Sequence, residues 1–164
     1  MKVVNAGRNS RWYAGSGIFR HVWLIKTNKL YLDKWDTFVD ASELQKKEAV
    51  IQFSTIVHNE GLQNQSGKIG IKIYSPAGNE VFSTSQDVIL SEGTPVATSF
   101  SLKKPELWSV DTPVLYTAEV SLSSDGKEYD KISVPFGIRT LSFSAEKGFL
   151  LNGCLLYTSP SPRD

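Results

Sequence analysis

From Ala49 onward, apolar and polar residues alternate with a period of two, in short segments broken by turn chemistry. That is the pattern of antiparallel strands with one buried face. Ile51, Phe53, Thr55 and Val57 alternate with Gln52 and Ser54, and Ile69, Ile71 and Ile73 alternate with Gly70, Lys72 and Tyr74. The second stripe stops at Ser75-Pro76-Ala77-Gly78-Asn79, a turn cluster that predicts a hairpin into Val81 and Phe82. Val96, Thr98, Phe100 and Leu102 form a further stripe. Val114, Tyr116, Ala118, Val120 and Leu122 form the clearest one, closed by Asp125-Gly126, a strong two-residue hairpin signal, after which Ile132, Val134 and Phe136 return. Upstream, Val22 to Thr27 and Trp35 to Asp40 read as two more strands or strand fragments, and no segment carries a helical stripe.

About seven short strands at roughly 8–12 residue spacing predict an all-β fold, an antiparallel β-sandwich of the immunoglobulin or fibronectin III type. Such a domain takes about 100 residues, and the stretch from Arg20 to Ser144 accommodates it with modest loops. The segment Asn5 to Phe19, with Gly7, Gly15 and Gly17 among Arg8, Asn9, Ser10 and Arg11, reads as a loop leaving a preceding domain. Phe149-Leu150-Leu151-Asn152-Gly153 reads as a strand and turn leading into a following one.

Composition narrows the function classes. The 164 residues are 40% hydrophobic, and 18 Lys+Arg against 17 Asp+Glu leave a net charge of +1, which supplies no field to hold a polyanion. No stretch approaches the ~18 consecutive apolar residues of a membrane span. Met1 to Ser10 lacks the apolar core of an export signal. One cysteine forms no internal disulfide, and with only His21 and His58 beside it no Cys/His metal cage can be assembled. The final stretch, Cys154 to Asp164, has neither strand nor helix periodicity. Back-translated, it resembles a transposase adapter of short-read sequencing libraries read in frame, which predicts that 154–164 is not native. Cys154 then says nothing of redox compartment.

Candidate chemistry is sparse. Arg11-Trp12-Tyr13 through Trp23 interleaves basic and aromatic residues, as single-strand stacking platforms do, but the neutral balance of the chain offers no basic groove beside it. These aromatics read instead as interdomain packing. Gly61 with Gly67-Lys68 is spaced one residue too long for a phosphate loop, and Ile69 stands where a magnesium-binding hydroxyl belongs. Asn64-Gln65-Ser66 has the form of a glycosylation sequon. Neither His21 nor His58 sits in a nucleophile elbow, His58 reads as solvated or turn-bonded, and the carboxylates fall in turns or on outward faces with no matched acid and base.

Three stretches carry a family resemblance. Asn9 to Leu24, containing Arg11-Trp12-Tyr13-Ala14-Gly15-Ser16-Gly17-Ile18-Phe19-Arg20-His21-Val22-Trp23, resembles the junction of glycoside hydrolase family 2 where a jelly-roll sugar-binding domain passes into an immunoglobulin-like sandwich. Pro105-Glu106-Leu107-Trp108-Ser109-Val110-Asp111-Thr112-Pro113-Val114-Leu115-Tyr116 is similar to a run inside that sandwich. Phe136-Gly137-Ile138-Arg139-Thr140, followed by Gly148 to Gly153, resembles the segment that leaves it for the catalytic barrel.

The resemblance implies residues 1–19 as the end of the jelly roll and its junction loop, 20–144 as the sandwich, and 145–153 as the approach to a TIM barrel. It implies Arg11, Trp12, Tyr13, Arg20, Trp23, Trp108 and Arg139 as interdomain junction residues; the position of Arg139 after Gly137 and directly behind a strand predicts fork-type hydrogen bonds at a domain boundary. The parent would be a bacterial, cytoplasmic or periplasmic retaining glycosidase of beta-galactosidase type, with room for a homo-oligomeric assembly. Its two glutamates, about 5–5.5 Å apart, lie on the barrel, so no catalytic, cofactor or metal position is expected in this chain. Its partners are the jelly roll and barrel of the same parent, and its carbohydrate substrate belongs to the parent only. Met1 then reads as an internal methionine. The alternative is a free-standing fibronectin-like adhesion or carbohydrate-binding module, in which Trp12, Tyr13 and Trp23 form a solvent-facing sugar platform.

Overall fold

The most extended alternation in the chain becomes the strand on which one whole sheet is built. In a computed structural model, which describes residues 17, 20–45, 47–61 and 63–156, β3 (Glu48–Asn59) turns Ala49, Ile51, Phe53, Thr55, Val57 and Asn59 inward. β6 (Thr94–Lys103) pairs antiparallel along almost its full length, from Glu48 opposite Lys103 to Val57 opposite Thr94. The other edge of β3 is shared by β2 (Phe38–Gln45) and β1 (Leu30–Leu32), because Ser54 faces Phe38 as well as Ala97, and Val57 faces Leu32 as well as Thr94. The second sheet has the order β5-β4-β7-β8, from β4 (Gln65–Tyr74), β5 (Glu80–Leu90), β7 (Tyr116–Ser124) and β8 (Lys127–Phe136).

The two sheets bury their alternating faces against each other, which is the antiparallel sandwich that the periodicity predicts. Ile69, Ile71 and Ile73 of β4 and Ala118, Val120 and Leu122 of β7 meet Ile51, Phe53 and Val57 of β3 in one apolar core. Phe82 of β5 stacks on Phe100 of β6 with ring centroids 3.9 Å apart and planes within 8° of parallel, which ties the sheets across an edge. Polar groups inside the core are paired. Thr37 and Thr55 share a 2.8 Å hydroxyl bond, and the Asn59 amide donates to the Leu90 carbonyl at 2.8 Å.

Turn chemistry sets the registers. Asp125 and Gly126, with φ of 50° and 73°, form the two-residue turn between β7 and β8 at the place the dipeptide predicts. Beyond the ladders, the first strand of one sheet is tied to the last strand of the other. The Leu32 amide of β1 donates to Asp130 Oδ2 of β8 at 2.8 Å, and Asn28 Nδ2 donates to the Tyr129 carbonyl at 2.6 Å.

Two upstream expectations differ. Val22 to Thr27 is not a strand: residues 21–28 have no ladder partner among the described residues, and Val22, Trp23, Leu24 and Ile25 are exposed. Their β-branched and aromatic side chains favour a pleated surface only when a neighbour completes it, and pairing with β3 begins at Leu30 opposite Asn59. Trp35 lies in a 3₁₀ turn (Lys34–Asp36) rather than a strand, because the Asp33 carboxylate caps it by accepting from the Trp35 amide at 2.8 Å. Val114 precedes β7, which starts at Tyr116. After β8, a three-stranded sheet of β9 (Leu141–Ser144), β10 (Gly148–Leu151) and β11 (Cys154–Leu155) follows in the order β11-β10-β9.

Candidate functional site

Trp108, Arg139 and the turn after β10 meet where the chain leaves the sandwich. The loop from Pro105 to Pro113 is fixed at several points. The Tyr116 hydroxyl accepts from the Glu106 amide at 2.9 Å, and burial raises the Tyr116 pKa in spite of that bond. Ser109 and Thr112 close a tight turn on each other, hydroxyl to hydroxyl at 2.7 Å and Ser109 amide to Thr112 carbonyl at 3.0 Å. With φ preset at Pro105 and Pro113, little further ordering is needed to hold Trp108 in place.

Trp108 is then gripped from the far side. Its amide donates to the Ile138 carbonyl at 2.9 Å, and Ile138 itself is fully buried. Gly137 lets the backbone come close: a Cβ there would stand 3.1 Å from Trp108 Cβ and 3.2 Å from its Cγ. The Arg139 guanidinium lies over the indole, 4.9 Å from the ring centroid, a cation–π contact. Among the described residues the contact it makes is this one with the indole.

Asn152 holds Trp108 and Thr140 together and lies outside the set of expected junction residues. At φ 52° it begins the Asn-Gly turn between β10 and β11. Its amide donates to the Thr140 carbonyl at 2.9 Å, its Oδ1 accepts from the Thr140 amide at 3.0 Å, and its Nδ2 donates to the Trp108 carbonyl at 2.9 Å. One side chain therefore ties the small terminal sheet to the loop of the sandwich. The Asn-Gly dipeptide is the available signal, since it favours such a turn.

The remaining expected junction residues fall elsewhere. Arg11, Trp12 and Tyr13 lie outside the described residues. Arg20 is exposed, and Trp23 is 79% exposed with the His21 ring as its aromatic neighbour at 5.8 Å. His58, read as solvated or turn-bonded, is held between two carboxylates: Nε2 is 2.8 Å from Asp36 Oδ2 and Nδ1 is 3.1 Å from Glu92 Oε1. Among the described residues no group of three or more His, Cys, Asp or Glu is disposed to hold a metal ion.

The chain's similarities agree with this architecture. The profile of the glycosyl hydrolases family 2 matches residues 30–139. The beta-galactosidase BoGH2A of Bacteroides ovatus is 37% identical over 156 residues, which cover 93% of this chain and 18% of that protein. A beta-glucuronidase of Bacteroides fragilis is 28% identical, covering 84% of this chain and 21% of its own length. The crystal structure of a family 2 glycosyl hydrolase from Bacteroides cellulosilyticus superposes with a TM-score of 0.83 at 36% identity, covering 92% of this chain and 21% of that one. The chain thus spans about a fifth of the length of these relatives.

Proposed function

Because the chain belongs to the glycosyl hydrolases family 2 and supplies a β-sandwich domain of such a protein, we propose that it is the non-catalytic, immunoglobulin-like spacer of a retaining glycosidase of beta-galactosidase type. The observation that carries this reading is one of proportion. Nearly the whole chain is used up in matching about a fifth of its relatives, and that fifth is an all-β sandwich. The sandwich holds the sugar-binding jelly roll on one side and the catalytic barrel on the other at a fixed separation.

In this reading residues 1–19 belong to the jelly roll and its loop, 20–144 to the sandwich, and 145–153 to the approach to the barrel, with 154–164 a non-native tail. Arg11, Trp12, Tyr13, Arg20, Trp23, Trp108 and Arg139 are junction residues. The interlock of Trp108, Arg139 and Asn152 supports a stiff exit, since three hydrogen bonds and a stacked cation leave the outgoing chain little freedom to swing.

Purified residues 1–153 should bind no nitrophenyl galactoside and release no nitrophenol from it, whereas the full-length parent should turn it over with retention of configuration. Turnover by the isolated piece would overturn the assignment. Genomic sequence past Gly153 should continue into a barrel, and a native reading of Cys-Leu-Leu-Tyr there would remove the adapter interpretation.

A further inference from the structure

His58 sits near the end of β3, and both of its ring nitrogens face carboxylate oxygens. A neutral imidazole has one N–H and one lone pair. With both carboxylates ionised, a neutral ring would aim a lone pair at a carboxylate oxygen, so the geometry is then satisfied by the doubly protonated cation. The two carboxylates come from different elements: Asp36 from the 3₁₀ turn and Glu92 from the connection between β5 and β6. Glu92 also accepts from the Asn59 amide through Oε2 at 2.7 Å. From β1, Tyr31 lies flat against the imidazole, with centroids 4.9 Å apart and planes at 16°. Desolvation raises the pKa of that phenol, and the nearby charges of Glu60, Glu92 and Asp33 push it the same way.

We propose that Asp36, His58 and Glu92 form a protonation-controlled latch that fastens the 3₁₀ turn and the β5–β6 connection to the end of β3. The latch is closed while the imidazolium and both carboxylates are charged, and it opens when the ring gives up its second proton. Asp36 and Glu92 face the ring with carboxylate oxygens, Asp33 and Glu60 add charge around Tyr31, and the cation makes the proximity of Asp36 and Glu92 favourable. Partial burial works against the charged ring, but the bonds to Asp36 and Glu92 outweigh it and raise the His58 pKa. The Asn59 amide and then His58 lower that of Glu92.

Opening removes the Asp36 tie from the turn that presents Trp35, which is 78% exposed, and leaves the Asp33 cap and the Thr37–Thr55 bond in place. A pH-dependent change in how firmly that aromatic is displayed follows, and this holds whichever parent activity the sandwich serves.

Long-range ¹H–¹⁵N correlation of the imidazole in the 164-residue chain tests the latch directly. Near pH 6 both ring nitrogens should be protonated, and the transition should lie above the ordinary value of about 6.5. Raising the pH through that transition should lower the exchange protection of the Asn59 amide. Asp36→Asn should move the ring's transition downward while leaving its ring-current shift from Tyr31 in place. A transition at or below the ordinary value, or an Asn59 protection that stays constant across it, would overturn the proposal. Both readings come from the unmodified chain, so an Asp36→Asn protein that fails to fold leaves the test intact.

Discussion

The guanidinium of Arg139 rests on the indole of Trp108, 4.9 Å from the ring centroid, although 31 positions separate them in the chain. Both side chains are half-buried, so the contact combines electrostatic attraction to the ring face with removal of apolar surface from water. Contacts of this kind contribute about 0.5–1 kcal/mol when exposed and more when desolvated. Arg139→Ala should therefore lower the urea-unfolding free energy by about 1 kcal/mol. Arg139→Lys should recover only part of it, because an ammonium lacks the planar stacking surface. Equal stability of Arg139→Lys and the unmodified chain would mean that the stacking face contributes nothing.

Asn152 offers a sharper comparison. Asn152→Gly keeps the left-handed backbone but loses the bonds to Thr140 and Trp108, whereas Asn152→Ala loses those bonds and also places a Cβ at φ 52°. Losses of roughly 1–2 kcal/mol for the glycine and about 1 kcal/mol more for the alanine are expected. The order of the two, read by denaturation or by exchange of the Thr140 amide, is the diagnostic result.

Gly137→Ala should be worse than its size suggests. The added methyl would meet the Trp108 Cβ and indole at 3.1–3.3 Å, and the Ile138 carbonyl bond keeps that residue from backing away. A cost of about 1–3 kcal/mol is expected, as for other overpacked sites, together with a change in near-ultraviolet circular dichroism as the indole shifts.

In the core, Phe53 is 2% exposed and lies between the sheets. Phe53→Ala should cost about 3–5 kcal/mol. Calorimetry of this variant should show a large drop in Tm or no cooperative transition.

The His58 latch fixes the sign of a pH effect. A raised folded pKa means that its stabilisation is fully present below the unfolded value and fades as pH rises through the folded one. Glu92, lowered in the fold, contributes above its ordinary range and fades as pH falls through its folded value. The closed window lies between them, in mildly acidic solution. The ring is partly exposed, so the expected effect is modest: the chain should melt about 2–4 °C above its His58→Gln variant near pH 6, and the gap should narrow as pH rises through the raised folded-state transition of the ring. A constant gap would tie the loss to packing on Tyr31 instead.

The sandwich was legible because its information is local. Ile69, Ile71 and Ile73 declare a buried face within five positions, and Asp125-Gly126 declares its turn within two. The periodicity predicts about seven strands, and among the described residues eight make up the two packed sheets. What stayed hidden depends on partners far along the chain. Residues 22–25 show the cost of reading side chains without those partners: Val22, Trp23, Leu24 and Ile25 are strand formers, yet no described strand pairs with them.

The sites obey the same distinction. His58 could be seen only as a strand-end histidine, since Asp36 and Glu92 lie 22 and 34 positions away. Trp108 and Arg139 are singled out by family resemblance, and their stacking has no local signature. Asn152 carries one in its Asn-Gly turn, but the reach of its side chain to Trp108, 44 positions back, does not show in it.

The bonds from Leu32 to Asp130 and from Asn28 to Tyr129 span 98 and 101 positions. A chain emerging from the ribosome can pair β1 with β3 early, but these two bonds must wait until β8 has been made, which at synthesis rates of about 5–20 residues per second takes about 5–20 seconds. During that interval the edge of the first sheet is open to other strands, and non-local pairing of this kind folds slowly. Production of this domain should accordingly be limited by aggregation of nascent chains before it is limited by the stability of the finished sandwich.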